Sequence, residues 1–460
     1  MEPPFGQVLV RLDSGPHLAA MSDTVVVSTR AEPWLPQELM EHILEELYAS
    51  DDKASLKNMA LAHRSLVSSC QKYIFNEVQL SEVNTNSVFS SKKTLVRKLY
   101  NTLEEFAHLS DHIRVLHLEE FWDYDSSLTW YSWMYEDKAL PEVLRQVSNL
   151  EALYFQPHYM LSFAGMSQAL ESAIAETCAL PTLTTLSMFS IRGLPLSIVE
   201  DVSPSLRYLR LWSVTCTHIG TNQPTTRATV PVHLKHLALR VDDDTFSRLL
   251  ERALSHKSPI HLDRLQNLTI CMTHGSSYEV ATRLLEACRD TLQTLEFGDE
   301  SDMALSALDL PGTPHKAWMA ELARHRLRAL ALTMAMDQQR GGIPWICRAV
   351  EAAATVEELV LQLVVRIWDL DACTYWESDW CALDELLASD RLPKLESITI
   401  YLDVKGYTRP NSERQTYIVY DVLSLLPQVR ASGRALTVET KQLQENSLLL
   451  QLDPLSRYQE

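Results

Sequence analysis

The sequence predicts an α/β architecture: a small unit of three helices, then repeated strand-and-helix units with parallel strands inside and helices outside. Two observations carry this. A short phrase, Leu, two residues, Leu, one residue, apolar, recurs along the chain. It appears as LEALYF from Leu150, LTTLSM from Leu183, LRYLRL from Leu206, LKHLAL from Leu234, LQNLTI from Leu265, LQTLEF from Leu292 and LRALAL from Leu327. Looser copies start at Ile113, Val356 and Leu395. Stretches with helical spacing lie between the phrases, such as Leu170, Ala173, Ile174 and Cys178, or Phe246, Leu249, Leu250 and Leu254.

The lead, 1–31, mixes Pro, Gly, Ser and Asp without a sustained period and reads as flexible. The first helix follows Pro36, which suits a first turn because its missing N–H is not needed there. Leu39, Met40, Ile43, Leu44 and Leu47 recur at helical spacing behind it. Asp52 or Ser55 is placed to cap a second helix carrying Leu56, Met59 and Leu66. A third, short helix holds Tyr73, Ile74 and Phe75 and runs into Val78 and Leu80. A three-helix core this small is marginal alone and gains from a neighbour.

The stretch 32–80 resembles an F-box. Trp34-Leu35-Pro36-Gln37-Glu38-Leu39 is similar to the family's Leu-Pro opening, Ile43-Leu44 and Leu47 to its first helix, and Leu56, Leu61 and Leu66 to its later segment. Ala62-His63 stand where Val-Cys is usual, and no Trp follows. The resemblance implies binding to a Skp1-like adaptor, and through it membership of a cullin–RING ubiquitin ligase as a substrate-recognition subunit. It implies adaptor contacts from Leu35, Pro36, Leu39 and Ile43, supported by Leu44, Leu66 and Phe75. The alternative is a protein-binding scaffold outside any ligase.

A connecting helix or linker is expected at 81–104, a repeat array at 105–445 and a C-terminal cap or tail at 446–460. The phrase starts lie between 23 residues (Leu183 to Leu206) and 39 residues (Val356 to Leu395) apart. Each phrase alternates like a half-buried strand, and stacking lets each unit bury the face it cannot bury alone. The array resembles a leucine-rich-repeat solenoid, although the Asn or Cys that usually follows the strand phrase is mostly absent. A doubly wound α/β enzyme also alternates strands with helices, but no GxGxxG follows a strand and no GxxxxGK[ST] occurs. Aromatic residues crowd two inserts. The first holds Phe121, Trp122, Trp130, Tyr131, Trp133 and Tyr135, and the second Trp368, Tyr375, Trp376 and Trp380. Such clusters among acidic residues suit a partner-binding hot spot for an unknown protein target.

Composition narrows the remaining classes. The 460 residues are 46% hydrophobic, enough for large cores, and the formal net charge of −19 opposes a general phosphate-backbone binder. No nucleic-acid partner is therefore expected. The 8 cysteines form no Cys-x2-Cys pair and read as reduced, buried thiols. No secretory signal or bilayer-length apolar run is visible, so the expected location is cytoplasmic, nuclear or both, with no membrane partner. No HExxH or GxSxG occurs, and the 15 histidines are dispersed without zinc-ligand spacing. The expectation is a non-enzyme with no cofactor, no metal and no catalytic residue.

Overall fold

A computed structural model describes residues 35–83, 95–121, 132–157, 160–217, 231–241, 243–254, 258–272, 277–299, 314–336, 342–366, 377–405 and 422–440. Each of the ten leucine phrases carries a strand that begins two residues after the phrase starts. Those strands are β2 (Val115–Phe121), β3 (Ala152–Gln156), β5 (Thr185–Phe189), β7 (Tyr208–Thr217), β9 (His236–Val241), β11 (Asn267–Met272), β12 (Thr294–Asp299), β13 (Ala329–Met336), β14 (Glu358–Arg366) and β15 (Ser397–Lys405). With β1 (Glu77–Val83) and β16 (Ala435–Thr440) at the edges, they pair in chain order, every ladder parallel. Short strands β4 (Leu161–Ser162) and β6 (Ile191–Pro195) join through β7, while β8 (Val232–His233) and β10 (Ile260–His261) form a separate two-strand ladder.

One repeated hydrogen-bond device holds the register. The carbonyl just before one strand accepts two successive N–H groups at the start of the next. Thr184 accepts from Arg207 at 2.8 Å and Tyr208 at 3.0 Å, and Lys235 accepts from Gln266 at 2.9 Å and Asn267 at 3.0 Å. The second leucine of each phrase consequently falls in one lateral row, Leu153 beside Leu186, Leu209, Leu237, Leu268 and Leu295.

Parallel strands need crossovers. These carry α4 (Leu95–Glu105), α5 (Trp133–Glu136), α6 (Leu140–Gln146), α7 (Gln168–Cys178), α8 (Leu196–Glu200), α9 (Asp243–Ala253), α10 (Ser277–Ala287), α11 (Pro314–Leu322), α12 (Ile343–Ala352), α13 (Glu377–Ala388) and α14 (Pro427–Ala431). Right-handed crossovers that always add to the same edge place their helices on one face of the sheet. The core follows that geometry. The leucine row clusters with Leu170, Leu284, Trp318, Ile346 and Leu387, whereas Phe189, Trp212 and Cys271, from alternate strand positions, form a small cluster of their own. Phe297, Trp318 and Trp345 stack within the main core, with ring centroids 4.5–5.7 Å apart.

Two expectations are corrected here. The leucine-rich-repeat-like solenoid gives way to an α/β fold with one continuous parallel sheet. The leucine phrase sets where each strand starts but not how far it runs: β7 has 10 residues and β14 and β15 have 9 each. No recurrent turn residue closes each unit at a fixed length, and β1 joins the same sheet, pairing with β2 over its full length. Nor is the sheet doubly wound, since its strand order never reverses.

The F-box recognition is corrected as well. α1 (Gln37–Ala49), α2 (Lys53–Ala62) and α3 (Val67–Ile74) enclose a small core of Leu44, Leu56 and Cys70. They lead directly into the large sheet: Phe75 packs on the main core, and the Asn76 carbonyl accepts the Arg114 and Val115 N–H groups at 2.9 Å. Where the family's Val-Cys is usual, α2 ends, with Ala62 its last residue. His63 is extended (φ −150°, ψ 128°) and its ring accepts the Ser65 N–H.

Candidate metal centre

The ladder of β8 and β10 lies just ahead of the paired strands β9 and β11. Its apolar members, Val232 and Ile260, are buried, and Leu234 and Leu262 follow them into the core. Alternation sends His233 and His261 the other way. They are register partners, with ring centroids 5.3 Å apart at 47°. Asp263 completes the group, its Oδ1 2.8 Å from His233 Nδ1. One ligand atom from each residue lies within 4.8 Å of the others. His233 is half-buried, while His261 and Asp263 are exposed, so the group opens to solvent.

Asp263 supplies the negative charge of the group. Partial burial acts to raise the Asp263 carboxyl, but the His233 hydrogen bond and the nearby His233, His261 and Arg264 charges outweigh it and hold the pKa below its usual value. Asp263 thus stays a carboxylate, as a metal ligand must. Tetrahedral bonds of 2.0–2.1 Å separate ligand atoms by about 3.3 Å. The 2.8 Å contact therefore has to widen by a few tenths of an ångström, a small rotation for an exposed side chain.

This cluster corrects the expectation of a chain without chemistry. His233 and Asp263 are 30 residues apart, a separation no local spacing rule detects. The sequence does carry a signal: Val232-His233-Leu234 and Ile260-His261-Leu262 are the same apolar-His-Leu triplet ahead of neighbouring leucine phrases.

The residues first singled out sit elsewhere. Leu35, Pro36, Leu39 and Ile43 are exposed, Leu44 is buried, and Leu66 and Phe75 are half-buried. Trp133 and Tyr135 pack against the main core, and Tyr135 donates from its hydroxyl to the Ser162 carbonyl at 2.7 Å. Trp380 is a core side chain. Trp122, Trp130, Tyr131, Trp368, Tyr375 and Trp376 lie outside the described residues, as does the side chain of Phe121.

No protein-family model matches the chain, and no curated protein matches it either. The ubiquitin-ligase receptor, the Skp1 and cullin partners and the scaffold alternative are accordingly set aside. They rested on a family resemblance that no family model supports, and on a repeat module that the continuous sheet replaces. No helix among the described residues is long and apolar enough to cross a membrane.

Proposed function

We propose that this chain is a metal-dependent α/β protein, with His233, His261 and Asp263 binding one divalent ion of the zinc class. The observation that carries the reading is the convergence of two in-register imidazoles and a carboxylate on one solvent-facing point. Imidazole and carboxylate together suit a borderline ion such as zinc. Structural zinc sites are closed by four protein ligands, whereas three ligands leave a position for water or substrate. A bound ion there would activate water or polarise a carbonyl or phosphoryl oxygen, so the reaction class is metal-assisted hydrolysis. The chain's own residues hold and orient the ion. The cytoplasm, the nucleus or both is the proposed location, supported by the buried thiols of Cys70, Cys178 and Cys288.

The test is calorimetric titration of the metal-stripped full chain with Zn²⁺. One ion per chain is expected, with His261→Ala and Asp263→Ala each weakening binding at least tenfold. Acetohydroxamate, which ligates open zinc sites, should bind the zinc-loaded chain and not the stripped one. Absence of zinc binding by the wild-type chain would sink the reading.

A further inference from the structure

The face of the sheet opposite the described helices holds an opposite-charge pair that does not meet. Ser187, Arg210, Ala238, Thr269 and Glu296 occupy one lateral row on β5, β7, β9, β11 and β12. Neighbouring strands are 4.7–4.9 Å apart, so the Arg210 and Glu296 backbones are separated by about 14 Å. Between them stand the small Ala238 and the short Thr269. Arg210 is 6% exposed and Glu296 8%.

Neither group is fully answered by the described residues. Glu296 Oε2 accepts from the Thr269 hydroxyl at 3.1 Å, but Oε1 has no partner among the described residues. Arg210 Nε and the Ser187 hydroxyl have none either. Buried polar groups left without partners are costly, and each calls for an explanation such as a bound water, ion or ligand. Arg210 is also pre-oriented. Its guanidinium lies 4.7 Å from the centre of the Phe189 ring and 5.2 Å from that of Trp212, and Arg240 also lies over Trp212, at 5.6 Å. A planar, immobilised guanidinium with a free N–H matches a carboxylate. A buried carboxylate with a free oxygen matches an ammonium or N–H donor.

We propose that this row is a binding site for a small zwitterion, an amino acid or short peptide, with its carboxylate on Arg210 and its ammonium on Glu296. Ser187 stands beside Arg210 as a further donor to the carboxylate. The site is independent of the metal centre, which lies on the separate ladder of β8 and β10.

The experiment uses the full chain at pH 8, where Glu296 is ionised, and saturation-transfer NMR with three probes: glycylglycine, γ-aminobutyrate and β-alanine. Propionate and propylamine serve as half-probes. At least one zwitterion should bind, at least tenfold more tightly than either half-probe. Arg210→Gln and Glu296→Gln should each weaken it at least tenfold, with zinc binding unchanged. The proposal is overturned if no zwitterion binds at millimolar concentration, if a half-probe binds equally well, or if both variants fold and bind like wild type. The half-probe comparison decides the matter should a variant fail to fold.

Discussion

The carboxylate of Asp384, on α13, caps a helix far along the chain: Oδ1 accepts the Val429 N–H at 2.9 Å and Oδ2 accepts the Gln428 N–H at 3.0 Å. The α14 helix begins at Pro427 and has no capping side chain of its own, so Asp384 meets donors that would otherwise be orphaned. Arg434 ties the other end, donating to the carbonyl of Leu387 in the last turn of α13 and to those of Ser389 (3.0 Å) and Leu392 (2.8 Å) beyond it. The last strand is thereby fastened to the unit before it. Asp384→Ala leaves buried N–H groups unsatisfied and should cost about 2–3 kcal/mol. Urea unfolding measures this, and a change below about 0.5 kcal/mol contradicts the cap.

Glu296 makes stability depend on pH. Burial pushes its carboxyl from 4.5 up to about 7, against smaller lowering effects from the Thr269 hydrogen bond and Arg210. The folded state then holds a proton that the unfolded chain releases. This stabilising contribution is fully present below pH 4.5 and is lost as pH rises toward 7. The whole swing is on the order of 3 kcal/mol. Glu296→Gln should remove that slope, leaving the variant relatively more stable at pH 8 than at pH 5 when each is compared with wild type. Denaturant titrations at the two pH values provide the check, and an unchanged slope contradicts the burial argument.

Zinc binding should weaken in acid. Both imidazoles must be neutral to ligate, and each proton competes with the ion. Affinity should therefore be at least about tenfold lower at pH 5.5 than at pH 7.5. Titration calorimetry at the two pH values measures it. A flat profile would mean that the histidines are not ligands.

Much of the fold is legible in the sequence at the level of elements. The leucine phrases mark every long central strand, because one leucine fills the turn and the next enters the buried row, as Leu206 and Leu209 do. Helices α7, α9, α10, α11 and α13 follow from apolar spacing. Pro427 misleads: it looks like a break after Leu426, yet it occupies the first turn of α14. The ladder of β8 and β10 is hidden because each of its strands has only 2 residues, too few for any alternation to register. That is why the histidines look dispersed. Their proximity depends on stacking neighbouring units in register, and on the alternation that turns His233 and His261 outward as Leu234 and Leu262 turn in. The Arg210 and Glu296 row is invisible for the same reason, since lateral neighbours on a parallel sheet lie a whole crossover apart in sequence.

The most direct measurement is anomalous diffraction at the zinc absorption edge from crystals of the zinc-loaded full chain. One strong peak is expected, bounded by His233 Nδ1, a ring nitrogen of His261 and an Asp263 carboxylate oxygen, at about 2.0–2.2 Å from each. No peak there, or a peak only at other histidines, would contradict it.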